Sequence, residues 1–525
     1  MEMTERNKDF VGVEKDGFNF SGLEVNGSGE GFDEGGTIRR NAAAHLNQIG
    51  AEIQLTASVS GVVPDDTFTV SQAISSIGFG RFQILLSLAV GLCWMADSME
   101  MMILSILPLS LHCEWGIDQY RQAFLTTIVF IGMMLSSMFW GKVSDRFGRK
   151  PALIISGIFL FFYAFLSSFS PSYPWILCLR FMVGFNIGCV PQSVTLYAEF
   201  LPSKQRGKCV VLLDCFWALG ACLEVLLAMF IMPSLGWRWL LAISSLPSLM
   251  FLLAASWLPE SPRFMAASGQ SEKALETLTK VANQNGKSML LGRLIVDDVH
   301  TLSRGRLGDL LSKELRKTTI LLWVIWLTAS FAYYGVVLMS TELFNSTDHL
   351  CSRTFDKKIE PTCSADCHPL KMSDYNHLLW TTLAEFPGIV VSLILIEKLG
   401  RKYTMALEFL GFTIVLCTLY YCAADRTSVT VILFFARALG SGLFQTAYVY
   451  TPEVYPTVLR SVGVGSCSGV ARLGAMLTPY IAQVLLQRSF QGAVSVYVIS
   501  TLLATLCCFF LPIETRGREM KDQNH

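Results

Sequence analysis

The sequence contains few charged residues. Asp, Glu, Lys and Arg make up 16% of the 525 residues, whereas hydrophobic residues make up 52%. Soluble proteins are typically about a quarter charged, so this composition excludes an ordinary soluble globular protein and is typical of a membrane protein. The net charge is zero at pH 7, which gives no support to a nucleic-acid-binding protein, since such domains are usually basic.

Several motifs are also missing. The chain has no GxxxxGK[ST] phosphate-binding loop and no spacing typical of a catalytic triad, so neither an ATP-driven pump nor a hydrolase is indicated. We therefore expect no enzyme activity, no cofactor and no metal. No short apolar segment lies near Met1, and we expect the first membrane span, rather than a cleaved signal peptide, to direct insertion.

Hydrophobic runs long enough to cross a bilayer recur along the chain. About twenty helical residues, at a rise of 1.5 Å each, cross a hydrocarbon core roughly 30 Å thick. Twelve such runs predict an all-α membrane protein with twelve transmembrane helices. The predicted spans 1 to 12 are 82–111, 119–141, 151–170, 174–199, 208–232, 238–258, 319–342, 375–396, 403–423, 428–451, 463–487 and 491–512.

The charges outside these spans predict the topology. Residues 259–318 contain ten Lys or Arg, and residues 343–374 contain four. Basic loops face the cytoplasm, so both termini and the linker after span 6 are predicted to be cytoplasmic. The predicted domains are a disordered acidic tail, two six-helix bundles joined by the linker, and a short C-terminal tail. Their limits are 1–80, 82–258, 259–318 (the linker), 319–512 and 513–525.

Three motifs recur at nearly one offset. GKVSDRFGRK (141–150) matches EKLGRK (397–402), EFLPSKQR (199–206) matches EVYPTVLR (453–460), and PESPR (259–263) matches PIETRGR (512–518). The offsets are 397 − 145 = 252, 453 − 199 = 254 and 514 − 260 = 254. A six-plus-six repeat is characteristic of transporters whose halves rock about a site at their interface, near the middle of the membrane.

These motifs resemble a known family. GKVSDRFGRK resembles the signature between helices 2 and 3 of the major facilitator superfamily, and RFMVGFNIG (180–188) resembles its helix-4 motif. WMADSMEMMILSI, PQSVTLYAEFLP, GWRWLL and YVYTPEVYPT are similar to its synaptic vesicle 2-related branch. The resemblance extends from about residue 65 to residue 518, and it implies the major facilitator fold in a synaptic or other secretory vesicle membrane.

The loop motifs are predicted to form a latch between helix ends on the cytoplasmic side. Two glycines would permit a tight turn and close helix approach, and Asp145 would pair with Arg149, a helix N-terminus or a base from another span. Alternatively, the basic residues only orient the chain in the membrane. The predicted latch residues are Gly141, Asp145, Arg146, Gly148, Arg149, Glu199, Arg206, Glu397, Arg401, Glu453 and Arg460.

Two acids interrupt the first span, in CWMADSMEMM (93–102). Asp97 and Glu100 are three residues apart and share one helical face. An acid in the hydrocarbon core is costly unless it is paired, protonated or hydrated, so we expect a proton or substrate site near the middle of the membrane. The alternative is a structural acid paired with a base. Further candidate acids are Asp214, Glu224 and Glu385.

Arg472 in span 11 is the deep base expected opposite these acids. Its segment resembles the organic-ion transporters, in which an arginine before a Leu-Gly pair implies an anionic substrate held bidentately. Alternatively, Arg472 is the counter-ion of one of the acids, and the cavity suits a cation or protons. Arg180 is expected either to snorkel at the outer interface or to pair with a cavity acid, with Arg437 as its counterpart. Neutral contacts to an organic ligand are expected from Gln192, Tyr333, Tyr334, Gln445, Tyr448 and Tyr450.

The loops on the non-cytoplasmic side carry two further signals. Asn345-Ser346-Thr347 is an N-glycosylation acceptor sequence. Four cysteines in these loops allow two disulfides in three pairings, which an oxidising lumen favours over a zinc site. They are Cys113, Cys351, Cys363 and Cys367.

The sequence therefore favours a secondary active transporter that moves a small organic ion by alternating access in a vesicle membrane, with protons as the coupling ion. Asp97 and Glu100 are the predicted coupling or binding acids, and Arg472 the charge-selecting base. One alternative is a transport-inactive receptor or trafficking partner that binds vesicle-trafficking proteins through residues 1–80. A further alternative is a facilitative uniporter of a neutral solute such as a sugar.

Overall fold

The computed structural model describes residues 67–295, 306–345, 370–421 and 426–516. Most of the predicted acidic tail lies outside the described residues, as do the predicted disulfide candidates Cys351, Cys363 and Cys367.

Each of the twelve predicted spans corresponds to a helix or to consecutive helical segments. Spans 1 to 6 are Arg81–Trp115, Gln119–Phe147, Arg149–Ser167, Tyr173–Ile187 with Val190–Glu199, Ser203–Ile231, and Trp237–Ser244 with Leu246–Ala255. Spans 7 to 12 are Arg316–Asn345, Met372–Leu383 with Glu385–Leu399, Arg401–Thr418, Arg426–Val454, Thr457–Pro479 continued by a π-helical turn (Tyr480–Leu485) and Leu486–Arg488, and Phe490–Phe510.

Eleven of these spans are long and apolar enough to cross a membrane. Span 9 is the remaining helix, and its 18 residues include three charged side chains, Arg401, Lys402 and Glu408. It packs against spans 10 and 12, and Glu408 is buried where it accepts hydrogen bonds from Ser392 and Thr446. Span 9 therefore belongs to the same bundle, and the prediction of a twelve-helix fold is confirmed.

Spans 4 and 6 are each interrupted by a short turn, of two residues in span 4 and of one residue in span 6. In both, a proline stands in the first turn of the second segment, Pro191 in span 4 and Pro247 in span 6. Proline cannot donate the backbone hydrogen bond of a helix interior but is well suited to a helix start. The break in span 4 leaves Val190 and Pro191 against the central cavity.

The spans form two large apolar cores. The first contains residues of spans 1 to 6, such as Val129 and Phe251. The second contains residues of spans 7 to 12, such as Trp326 and Phe409, and crosses into the first half with residues of spans 1, 5 and 6, such as Met102 and Val225. The halves meet where span 2 packs on span 11 and span 5 packs on span 8.

The linker and the segment before span 1 contain ordered structure. Strand β1 (Thr67–Thr69) pairs in parallel with β2 (Arg293–Ile295), and helix α1 (Val70–Ile77) contacts α2 (Pro262–Ala267) and α3 (Ser271–Gln284). The prediction that disorder extends to residue 80 is therefore wrong at its C-terminal end. Helix α1 is amphipathic and buries Val70, Ala73, Ile74 and Ile77, and a Thr69–Gln72 capping box closes its N-terminus.

Candidate substrate cavity and charge network

A cavity lies between the two halves. Spans 1, 4 and 5 line it on one side, and spans 7, 8, 10 and 11 line it on the other. The lining residues are Trp94, Asp97, Val190, Pro191, Asp214, Trp217, Tyr333, Tyr334, Glu385, Ile389, Ser441, Phe444, Gln445, Tyr448 and Arg472. A site at the interface of two repeats is the arrangement expected of an alternating-access transporter.

Asp97 and Arg472 both line this cavity, and the two side chains interact electrostatically. Asp97 is 6% exposed, and within the described residues its Oδ1 atom accepts no hydrogen bond. Arg472 Nη1 donates to Met133 Sδ across the interface, at 3.2 Å. Asp97 and Arg472 therefore both lie at the cavity wall, close enough to influence each other electrostatically.

Glu100 has a different partner. Its Oε2 atom accepts a hydrogen bond from Arg180 Nη1 at 2.5 Å, and both side chains are buried, with Arg180 0% exposed. Arg180 therefore does not snorkel at the membrane interface. Glu100 and Arg180 lie outside the cavity lining, so the two acids of span 1 occupy separate sites.

Glu224 of span 5 lies beside the pair of Glu100 and Arg180 and interacts electrostatically with both. It is fully buried and interacts with the Ser244 side chain, although within the described residues neither carboxylate oxygen forms a hydrogen bond of ordinary geometry. Glu224 is not among the cavity-lining residues. Two acids and a single arginine therefore share one buried cluster, and the three side chains carry a net negative charge if both acids are ionised.

Glu385 is the centre of a hydrogen-bonded chain in the second half. Its Oε1 atom accepts from Arg437 Nε at 2.8 Å and from the Tyr333 hydroxyl at 2.9 Å, and Trp217 Nε1 donates to that hydroxyl at 2.7 Å. Arg437 is only 1% exposed. The expectation that Arg472 is the one deep base is therefore wrong, because Arg180 and Arg437 each pair with a buried acid.

Within the part of the chain that the structure describes, Asp214 forms no ion pair. Its carboxylate interacts with the Gln445 amide of span 10 and with the charge of Glu385. Tyr334 and Tyr448 also line the cavity, as predicted, whereas Gln192 does not. Tyr450 is fully buried elsewhere and donates its hydroxyl to the Ile513 carbonyl at 2.6 Å.

Aromatic rings form much of the remaining wall. Trp94 and Trp217 meet edge to face with their centroids 5.7 Å apart, and Tyr333 contacts Tyr334 and Phe444 at 5.3 and 5.7 Å. The two tryptophans and Phe444 were not among the site residues predicted from the sequence. A signal was present, since each tryptophan lies three residues from a cavity acid, on the same helical face.

The predicted latch is present in both halves as an ion pair. Arg149 Nη2 lies 3.4 Å from Glu199 and 3.7 Å from Asp145. In the second half, Arg401 Nη2 lies 3.0 Å from Glu453.

Two glutamates complete the latch and were not among the predicted site residues. Glu260 accepts hydrogen bonds from the backbone N–H groups of Arg149 and Lys150 at the start of span 3. Glu514 does the same for Arg401 and Lys402 at the start of span 9. A carboxylate is favourable there because the helix N-terminus carries partial positive charge. Their equal offset of 254 in the sequence was the available signal.

The two latch glycines differ. Gly148 has φ +105°, and a side chain there would place its Cβ 2.3 Å from Glu260 Oε2. Gly141 lies inside the helix of span 2, and a Cβ would meet no atom within 4 Å. The prediction of a turn or close approach at Gly141 is therefore wrong, because the helix continues for six residues to Phe147 before the turn.

The remaining latch candidates have separate roles. Arg206 donates to the Leu201 carbonyl and Arg460 to the Pro452 carbonyl, while Arg146 lies over the Phe147 ring. Glu397 interacts electrostatically with Arg401, as Asp145 does with Arg149. It also forms an ion pair of 2.6 Å with Lys208, which joins span 8 to span 5 across the two halves.

At the opposite end of the bundle from the linker, spans 2 and 11 hold the halves together. Gln119 donates to Gln487, which in turn donates to Glu342 of span 7 at 3.1 Å. Thr127 donates to the Met476 carbonyl at 3.3 Å, further along the same pair of spans. We call this end the far side. Cys113 lies near the end of span 1 on this side and is disulfide-bonded. Asn345 is the last residue of span 7.

Family models match both halves of the chain. The model described as "Sugar (and other) transporter" matches residues 63–352, and that of the "Major Facilitator Superfamily" matches residues 378–524. The chain belongs to the major facilitator superfamily. The twelve helices are thus those of a superfamily member, as the resemblance implied.

Similar proteins place this superfamily member in one branch. It is 54% identical over 462 residues to the synaptic vesicle 2-related protein of Xenopus laevis, covering 88% of this chain and 84% of that protein. The protein of the same name from Rattus norvegicus is equally similar. Among solved structures, the Escherichia coli xylose transporter XylE in a partially occluded inward open conformation has a TM-score of 0.67 at 18% identity, covering 83% of this chain and 99% of that one.

Proposed function

We propose that this protein is a secondary active transporter that moves a small organic ion by alternating access, with protons as the coupling ion. The observation that carries the proposal is the position of the cavity, which both halves line with ionisable side chains: Asp97, Asp214, Glu385 and Arg472. Rocking of the halves would expose this site to one side of the membrane and then to the other.

The buried cluster of Glu100, Arg180 and Glu224 supports proton coupling. A buried ionised carboxylate without a paired cation is costly, and Arg180 pairs with Glu100, so we infer that Glu224 carries a proton in this state. If Glu100 and Glu224 are both ionised, Arg180 can neutralise only one of them. Movement of Arg180 between Glu100 and Glu224 would therefore move a proton as well.

The superfamily relatives support a vesicle membrane as the location. The proteins from Xenopus laevis and Rattus norvegicus carry the words "synaptic vesicle" in their names, and an acidified vesicle supplies a proton gradient. Carriage of a neutral solute such as a sugar is the second candidate. The description of the family model that matches residues 63–352 favours it.

Uptake into proteoliposomes with an imposed pH step tests the proposal. Vesicles containing the full-length protein are given a metabolite mixture, and their contents are measured by mass spectrometry after washing. We expect a compound whose accumulation depends on the pH step and is lost in the variant Asp97→Asn/Glu100→Gln. Uptake that is indifferent to pH would favour the neutral-solute uniporter, and unchanged uptake in the variant would remove the coupling role.

A further inference from the structure

The cavity wall contains more unpartnered hydrogen-bond acceptors than donors. Within the described residues, three buried lining oxygens accept no hydrogen bond: Asp97 Oδ1, Glu385 Oε2 and Gln445 Oε1. Within the same residues, Trp94 Nε1 is the one buried lining donor without a hydrogen-bond acceptor. A buried polar atom without a partner is unfavourable, so this wall favours a ligand that donates several hydrogen bonds.

The charges of the same wall do not balance. Glu385 is neutralised by Arg437, which lies 2.8 Å away, and Arg472 interacts with Asp97. Asp214 faces an amide and a second carboxylate, those of Gln445 and Glu385. If the three lining carboxylates are ionised, Arg472 and the guanidinium of Arg437 behind Glu385 neutralise two of them, which leaves one negative charge.

The uncompensated acid lies close to aromatic faces. Trp217 follows Asp214 by three residues on the same helix, and its Nε1 donates to Tyr333, which donates to Glu385. Asp214 and Trp217 of span 5 therefore lie next to Tyr333 of span 7 and Glu385 of span 8, where the two sides of the cavity meet. The faces of tryptophan and tyrosine rings attract cations, and the rings also cover an apolar ligand body.

We propose that the cavity binds an organic ammonium ion with an aromatic body, its nitrogen held by Asp214 and by the free oxygens of Glu385 and Gln445, and its ring against Trp217 and Tyr333. This inference rests on the proposed function, because it identifies the class of the transported ion. Arg472 is then the counter-ion of Asp97 rather than a receptor for an anionic substrate. An anion would have to displace Asp97 from Arg472 and would face two further carboxylates.

Three probes with the same ring and different charge test this class. They are 2-phenylethylamine (a cation), 2-phenylethanol (neutral) and 3-phenylpropionate (an anion), each titrated at neutral pH against the purified full-length protein in nanodiscs. Tryptophan fluorescence and the shift in melting temperature report binding. We expect the amine to bind about tenfold or more tightly than either analogue, since only the amine meets the uncompensated charge.

Variants locate the charge that is recognised. Asp214→Asn should weaken amine binding about thirtyfold or more, because it removes one partner of a buried charge pair, and Asp214→Glu should restore part of it. Glu272→Gln, which removes an exposed carboxylate of the linker helix α3, should bind like the unmodified protein. A normal melting transition of Asp214→Asn without ligand verifies that this variant folds.

Other outcomes overturn the inference. Equal binding of the alcohol indicates a neutral ligand, tighter binding of the propionate indicates an anion, and absence of binding by all three at millimolar concentration contradicts the class. Unchanged amine affinity in folded Asp214→Asn contradicts the site. The uptake experiment distinguishes failure of the ligand class from failure of the proposed function. Amine binding without any pH-dependent uptake upholds the ligand class and contradicts transport. Uptake of an anion upholds transport and contradicts the ligand class.

Discussion

At the scale of single residues, the acids of span 1 differ in partner although they are one turn apart. Asp97 lines the cavity with Arg472, whereas Glu100 is paired with Arg180 outside the cavity lining. Sequence spacing predicted that both acids lie on one helical face. It could not predict the partners, because Arg180 comes from span 4, 80 residues away, and only tertiary packing brings it to Glu100.

Removing one partner of the buried pair of Glu100 and Arg180 should destabilise the protein strongly. Arg180→Gln leaves a buried acid without its cation, so we expect the free energy of unfolding to fall by about 3–5 kcal/mol, and Arg180→Gln/Glu100→Gln to recover much of this loss. The matched control is Arg121→Gln, which breaks an exposed pair with Asp118 and should cost at most about 1 kcal/mol. Unfolding in detergent measures all three, and equal losses for the two arginines would contradict the assignment.

At the scale of elements, the two halves build the starts of spans 3 and 9 in the same way. A glycine with positive φ, Gly148 or Gly400, precedes the helix, and a glutamate from the end of the same half accepts from its first backbone N–H groups. The repeated motifs predicted the latch and its arginines. They did not predict the roles of Glu260 and Glu514, since the sequence offset carries no information on which backbone atoms these carboxylates approach.

The two glycines of the first latch should respond differently to alanine. Gly148→Ala should lower the free energy of unfolding by more than about 1 kcal/mol, because φ there suits glycine and Cβ would meet Glu260. Gly141→Ala should raise it by about 0.5–1 kcal/mol, because a Cβ at this helical position has open space. Thermal unfolding in the same detergent compares them, and a loss at Gly141 as large as at Gly148 would contradict this account.

At the scale of the whole molecule, the halves contact each other unevenly. On the far side, Gln119 and Gln487 join spans 2 and 11, and near the middle of these spans Arg472 contacts Met133. On the linker side, Lys208 and Glu397 join spans 5 and 8. The twelve-helix fold follows from hydropathy and the internal repeat. The contacts between the halves could not be predicted in this way, because they depend on how the halves are rotated relative to each other. A repeat in the sequence does not specify that rotation.

In the proposed mechanism, the two ends of the cavity open in alternation, and buried acids couple this motion to protons. Pulsed electron paramagnetic resonance measures it directly in liposomes, with spin labels that replace Arg121 and Ser489 on the far side or Lys142 and Ser461 on the linker side. All four residues are exposed. The labels are placed on a background whose reactive cysteines are replaced.

We expect the two distances to change in opposite directions between neutral and acid pH. We also expect Asp97→Asn/Glu100→Gln to remove this dependence, since it removes the span 1 acids that would bind the proton. Distances that do not depend on pH in the unmodified protein, or that lengthen together at both ends, would contradict alternating access coupled to protons.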